Sequence, residues 1–143
     1  MSTAAAVAVA VTFVWLGMVL AISFLEAPLK FRAPGVTLPI GLGIGRLVFR
    51  ALNAAETLWA AIIVVAVVAG SWSGAMIRVV AAIAVVALVV QLVAIRPALT
   101  RRSNAVLAGH DGPRSHVHVV YVGLEVVKVI ALVCLGITLL VTA

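Results

Sequence analysis

Four long apolar segments dominate the chain, separated by shorter stretches that carry prolines, glycines or charged residues. They cover about residues 4–25, 47–69, 76–95 and 117–141. Each approaches the roughly 20 residues that cross the hydrocarbon core of a bilayer as a helix. Because no water satisfies backbone groups there, we expect all four segments to be helical. The sequence therefore predicts an all-α fold, with residues 1–143 forming a single four-helix transmembrane bundle.

Composition supports a membrane protein over a soluble one. Hydrophobic residues make up 66% of the chain and charged residues 10%, whereas soluble domains carry about 25% charged residues. The formal net charge is +6, but the basic side chains lie at the edges of the apolar segments. We therefore expect contacts with anionic lipid at the cytoplasmic face of the bilayer, and no nucleic acid partner.

The distribution of basic residues predicts an orientation. Eight of the ten lie in or beside the first and third connections: Lys30, Arg32, Arg46, Arg50, Arg96, Arg101, Arg102 and Arg114. The second connection contributes only Arg78, and both termini lack a basic side chain. Basic residues accumulate in cytoplasmic loops, so we expect short cytoplasmic connections at those two places and both termini outside the cell membrane. No basic residue precedes Lys30, which favours a retained first helix over a cleaved signal peptide.

The first connection is rich in proline and glycine. Proline disrupts a helix interior, so we expect the stretch before about Leu47 to be a re-entrant or interfacial segment, and Pro97 to end the third helix. The glycines lack the Lys-Ser/Thr pair of a phosphate-binding loop. No convincing internal repeat is evident in the sequence.

Two polar stripes run along otherwise apolar segments. The fourth segment carries His118, Tyr121, Glu125 and Lys128, and the second carries Arg46, Arg50, Asn53 and Glu56. Spacings of three and four residues place the members of each stripe on one helix face. Lys128 would lie roughly 16 Å along its helix, near the bilayer midplane. Charges at that depth cost roughly 2.5–3.5 kcal/mol each on insertion scales, so we expect the stripes to face the bundle interior and pair.

The pairing within the stripes has more than one solution. Glu125 and Lys128 are three residues apart with the acid first, a spacing that allows a direct ion pair. Glu56 is the other candidate partner for Lys128, and Arg50 is a candidate partner for Glu125. Two interpretations stay open: a network that only fixes helix register, and a ligand, ion or proton site.

The histidines do not predict a cofactor site. His116 and His118 are two residues apart, so they point to different sides of a helix and cannot bind one metal together. No histidine lies in the first three segments, which argues against a haem held by two histidines of one chain. We expect neither a metal nor a haem.

Three stretches carry a resemblance to known proteins: SFLEAPLKF, GRLVFRALNAAE and HVHVVYVGLEVVK. With them the chain resembles the small four-helix membrane proteins typified by the cisplatin-resistance-associated TMEM protein and its uncharacterised bacterial relatives. The matching positions are Gly17, Pro28, Phe31, Gly45 and Phe49. This resemblance implies a helical bundle without an established chemistry. The chain is also similar to the four-helix membrane protoporphyrinogen oxidases in its proline-containing turn, but it lacks their histidine in the first helix.

The sequence favours a membrane protein whose polar, cytoplasm-facing cavity binds or moves a small molecule or ion. Both stripes would line that cavity, with Glu26 and Gln91 as secondary positions. The alternative is a structural or accessory subunit, whose polar half meets a partner membrane subunit or another copy of the chain. An enzyme ranks third, because no nucleophile–base pair or metal motif is present in the sequence.

Overall fold

Four long helices form an antiparallel bundle in the computed structural model, which describes residues 1–109 and 116–143. They are α1 (Thr3–Arg32), α2 (Leu38–Ala69), α3 (Met76–Leu107) and α4 (His116–Thr142). Each is long and apolar enough to cross a membrane, so the predicted all-α, four-helix class is confirmed. Arg114, placed above among the basic loop residues, lies outside the described residues.

The first connection is much shorter than the sequence predicted. α2 begins at Leu38 instead of near Leu47, so the glycine-rich stretch is helical and not a re-entrant segment. Thr37 caps the helix, its hydroxyl accepting a hydrogen bond from the Ile40 amide at 3.4 Å. Pro39 is tolerated because it lies in the first turn, where an amide hydrogen has no helical partner.

The prediction that Pro97 ends the third helix is wrong. α3 continues through Pro97 to Leu107 by way of a π-helical turn at Gln91–Ile95. In that turn the Arg96 amide donates to the Gln91 carbonyl, five residues back. A wider turn immediately before a proline relieves the clash between the proline ring and the preceding carbonyls.

α1 also contains a π-helical turn immediately before a proline. A π-helical turn covers Leu20–Glu26, and the Ala27 amide donates to the Ile22 carbonyl just before Pro28. The helix then continues to Arg32, beyond the predicted end near residue 25. α1 and α3 therefore both accommodate a proline by widening the preceding turn, which contains one more residue than an α-helical turn.

The two π-helical turns before prolines are one sign of an internal repeat, which was not evident from the sequence. Pro28 and Pro97 are 69 positions apart, and so are Glu56 and Glu125. At this offset many buried positions of the α1–α2 hairpin fall on buried positions of the α3–α4 hairpin. Examples are Ala8 and Ile77, Val11 and Val80, Trp15 and Ala84, Val19 and Leu88, Leu52 and Tyr121, Ile63 and Leu132, and Ala66 and Leu135. The bundle is thus two similar hairpins with little shared sequence.

All four helices contribute to a core of mainly small and branched side chains. Ile63, Ala84 and Leu132 are fully buried within it. Small residues permit close approach, which drives helix association where lipid is as apolar as the side chains. Gly136 is one such contact, since a Cβ there would lie 2.7 Å from Cζ of Phe13.

The two ends of the bundle differ in charge. We call the end where α1 and α3 finish and α2 and α4 begin the basic end. It carries Lys30, Arg32, Arg46, Arg50, Arg96, Arg101 and Arg102. A helix of 32 residues is about 48 Å long, whereas the hydrocarbon core is about 30 Å thick, so α2 and α3 are long enough to extend beyond it.

Candidate functional site

Side chains from all four helices meet in the centre of the bundle. We call this group the ionic network: Trp15 of α1, Glu56 of α2, Gln91 of α3, and Glu125 and Lys128 of α4. All five residues are at most 2% exposed. The network is closed, so these groups do not line an open cavity.

Lys128 is the hub of the network. Its Nζ lies 2.6 Å from Oε1 of Glu56 and 2.5 Å from Oε1 of Glu125. Both partners considered from the sequence, the acid on the same helix and the acid on α2, therefore bind the ammonium group together. One pair is local to α4 and the other joins the two hairpins.

Trp15 and Gln91 complete the hydrogen bonding. The Trp15 indole Nε1 donates to Oε1 of Glu56 at 3.1 Å. Gln91 donates from Nε2 to Oε1 of Glu125 at 2.8 Å and accepts from Lys128 Nζ through its Oε1 at 2.8 Å. Buried charges cost least when they are paired and hydrogen-bonded, and these contacts provide both.

The network is nevertheless unbalanced. It contains two carboxyl groups and one ammonium group. Oε2 of Glu56 and Oε2 of Glu125 are both buried without a hydrogen-bond partner among the described residues. Full ionisation would therefore leave a net charge of −1 in the middle of the bundle.

The internal repeat explains the geometry of the two acids. Glu56 and Glu125 occupy equivalent positions of the two hairpins, so their side chains converge where the hairpins meet. The other members break the repeat: Lys128 is equivalent to Trp59, and Gln91 is equivalent to Ile22. A symmetric pair of acids is thus completed by asymmetric partners.

A second polar feature opens at the basic end, between α2 and α3. We call it the basic groove; its volume is about 670 Å³. It is lined by Gly43, Arg46, Leu47, Arg50, Asn53, Leu92, Arg96, Thr100 and Asn104. Three arginines, two asparagines and a threonine give it positive charge and many hydrogen-bond donors.

Arg96 lies against two aromatic rings at the inner side of the basic groove. Its guanidinium carbon lies 4.7 Å from the ring centroid of Phe49 and 5.3 Å from that of Tyr121. The two rings meet edge to face, with centroids 6.1 Å apart. Nε and Nη2 of Arg96 are buried and have no hydrogen-bond partner among the described residues. Cation–π contacts therefore fix the cation while leaving donors free.

The outer part of the groove is tied across the two helices. Arg46 donates from Nη2 to Oδ1 of Asn104 and, at 3.4 Å, to the Thr100 carbonyl. Arg50 is exposed and Asn53 is half-buried, one turn from Glu56. The π-helical turn contributes as well, because an i to i+5 register aligns Arg96 with Gln91 on α3.

Two of the groove arginines have no basic counterpart at the offset of the internal repeat. At the offset of the repeat, Arg50 and Arg96 correspond to Val119 and Ala27, and Thr100 corresponds to Phe31.

The remaining predicted site residues are distributed as follows. Tyr121 is buried and its carbonyl accepts from Gln91 at 3.5 Å, whereas His118 is exposed on the surface of α4. Glu26 pairs with Lys30 at 3.8 Å near the end of α1. The stripe residues thus divide between the ionic network, the basic groove and the surface.

Two residues of the site escaped the sequence analysis. Trp15 was not among the residues singled out from the sequence, and Arg96 was counted only among the basic residues that predict the orientation. The spacing between Arg96 and Gln91 gives no helical alignment unless a π-helical turn is assumed. The proline after Arg96 is the signal that could have suggested one.

The fold and the site define a class: a four-helix bundle of membrane-spanning length with a buried ionic network and a basic groove. No protein-family model matches the chain, and no curated protein or solved structure is significantly similar to it. The resemblance to the TMEM family therefore stays a prediction. Within residues 1–109 and 116–143 no group of three metal-ligating side chains is close enough to hold an ion.

Proposed function

We propose that this multi-pass membrane protein binds a small soluble anion, of phosphate or carboxylate type, in the basic groove at its cytoplasmic end. The observation that carries the proposal is Arg96, with two buried guanidinium nitrogens that face no acceptor among the described residues. Guanidinium groups bind phosphate and carboxylate oxygens through paired hydrogen bonds. An anion would supply the missing acceptors.

The charges around Arg96 support the same ligand class. Arg46 and Arg50 lie on successive turns of α2 and line the groove with Arg96. The two acids of the neighbouring ionic network, Glu56 and Glu125, are engaged with Lys128. The groove thus keeps its positive charge available for a ligand.

The cytoplasmic location of the groove rests on the distribution of basic residues, which the positive-inside rule assigns to that side. Both termini would then lie outside the cell membrane. α2 and α3 are long enough to carry the groove to the membrane surface, where an anion from water reaches it. Movement of the anion through the bundle would require the ionic network below the groove to open.

Inorganic phosphate titrated calorimetrically into protein in a non-ionic detergent tests the proposal. We expect wild-type protein to bind, and Arg96→Gln to bind at least tenfold more weakly, since a charged hydrogen bond contributes about 1.5–3 kcal/mol. Arg32→Gln is the matched control, because Arg32 is exposed at the same end but outside the groove. Equal binding by both variants would contradict the proposal.

Native mass spectrometry of the same preparation separates the other candidates. Retained anionic lipid that is lost in Arg96→Gln would identify a lipid headgroup as the ligand. A stoichiometric second polypeptide would favour the alternative of an accessory subunit. The ionic network itself needs no partner chain, because its contacts lie within one chain.

A further inference from the structure

The charge balance of the ionic network points to a second function. The groups facing it are contributed by all four helices: Trp15 from α1, Glu56 from α2, Gln91 and, toward the basic end, Arg96 from α3, and Tyr121, Glu125 and Lys128 from α4. α1 contributes Trp15 to the network but no charged side chain. The only cation in contact with the two acids is Lys128, among the described residues.

Arg96 does not supply the missing positive charge. It is stacked on Phe49 and Tyr121, and no ion pair with Glu56 or Glu125 is present within the described residues. A net charge of −1 on side chains that are at most 2% exposed is costly, because burial removes the charge from bulk solvent and the effective dielectric constant is low. One proton on the acid pair would make the network neutral.

We propose that the ionic network is a proton-binding site that holds one exchangeable proton, shared between Glu56 and Glu125 on either side of Lys128. Both acids use Oε1 to bind the ammonium group and leave Oε2 without a partner, so either Oε2 can carry the proton. Their equivalence in the internal repeat gives the proton two similar positions. The proton is gained from and lost to water, and no other bond changes.

The network is connected to the basic groove by two side chains. Gln91 binds Glu125 and the carbonyl of Tyr121, and the Tyr121 ring lies against Arg96. Intramembrane acids beside such a path are typical of proton relays in transport proteins. The proton site stands independently of the proposed anion, because it is argued from the charges of the network alone.

Infrared spectroscopy of the folded protein at neutral pH tests this proposal. The carbonyl absorption of a protonated carboxyl group is separate from that of a carboxylate, and the chain has only four acidic side chains. We expect wild-type protein to show such absorption from one group, and Glu56→Gln and Glu125→Gln each to lose it. In either variant the remaining carboxylate and Lys128 already form a neutral pair. Glu26→Gln is the control and should keep the absorption.

Lys128→Met should raise the absorption of protonated carboxyl groups, whereas the two glutamine variants should lower it. Without the ammonium group both acids must be neutral, so the absorption should approximately double. If this variant does not fold, the two glutamine variants still decide the matter. Absence of the absorption from wild-type protein would overturn the proton site, and persistence in both glutamine variants would do so too. Loss in only one of them would contradict the charge balance from which the shared proton is argued.

Discussion

Lys128 carries the central contacts of the molecule, and its removal should therefore be costly. Lys128→Met leaves two buried acids without a cation, and breaking a buried ion pair typically destabilises by about 3–5 kcal/mol. We expect a large fall in the thermal unfolding temperature in detergent. Adding Glu125→Gln should restore part of the loss, and adding Glu56→Gln as well should restore most of it. A triple variant no more stable than Lys128→Met would show that the three groups are not coupled.

Trp15 provides a finer test at the same scale. Trp15→Phe keeps an aromatic ring but removes the 3.1 Å hydrogen bond to Glu56, so we expect a loss of about 1–2 kcal/mol. Trp59→Phe is the matched control, because its indole donates to the weak acceptor Sδ of Met18 at 3.2 Å. Equal unfolding temperatures for the two variants would argue against a role of Trp15 in the network.

The charged members of the ionic network could be predicted from residue spacing, whereas the contribution of Trp15 could not. Glu56, Glu125 and Lys128 are ionisable groups in apolar helices, and such groups must face inward and pair. Trp15 is apolar enough to fit any packed face, so its hydrogen bond follows only from the way α1 packs against α2. His118 shares a helical face with Lys128, but it lies near the first turn of α4, where that face is exposed.

At the scale of the helix, the π-helical turn before Pro97 positions Arg96. Pro97→Ala removes the clash that requires the wide turn, so a regular α-helix could form and rotate Arg96 relative to Gln91. We expect phosphate affinity to fall at least tenfold with stability unchanged or increased.

Pro28→Ala is the control supplied by the internal repeat, since it alters the equivalent turn in α1, away from the basic groove. Calorimetric titration of both variants measures the difference. Undiminished phosphate binding by Pro97→Ala would show that the turn does not place Arg96.

The helix number and class followed from hydropathy, but the helix ends did not. Prolines suggested that the helices end or break at three places. In the structure, however, Pro39 lies in the first turn of α2, and Pro28 and Pro97 each follow a π-helical turn. Proline alone does not distinguish a helix end from a π-helical turn, because both remove the same steric conflict. The repeat was hidden for a similar reason: burial and geometry match between the hairpins, whereas few residue types do.

At the scale of the whole molecule, orientation is the first prediction. Both termini should lie outside the cell membrane, since basic residues are concentrated at the opposite end of the bundle. Reporter fusions after Ala143 measure this directly, and we expect activity only from a reporter that works outside the cytoplasm. Activity of a cytoplasmic reporter at this position would place the basic groove on the outer face.

The central claim is that the basic groove is an anion site, and locating a bound anion tests it most directly. Selenate resembles phosphate in shape and charge and scatters anomalously, so its position can be found in crystals of the protein. We predict an anomalous peak between α2 and α3, within hydrogen-bonding distance of Nε or Nη2 of Arg96, that is absent from Arg96→Gln and present in Arg32→Gln. A peak elsewhere, or one that survives in Arg96→Gln, would contradict the account.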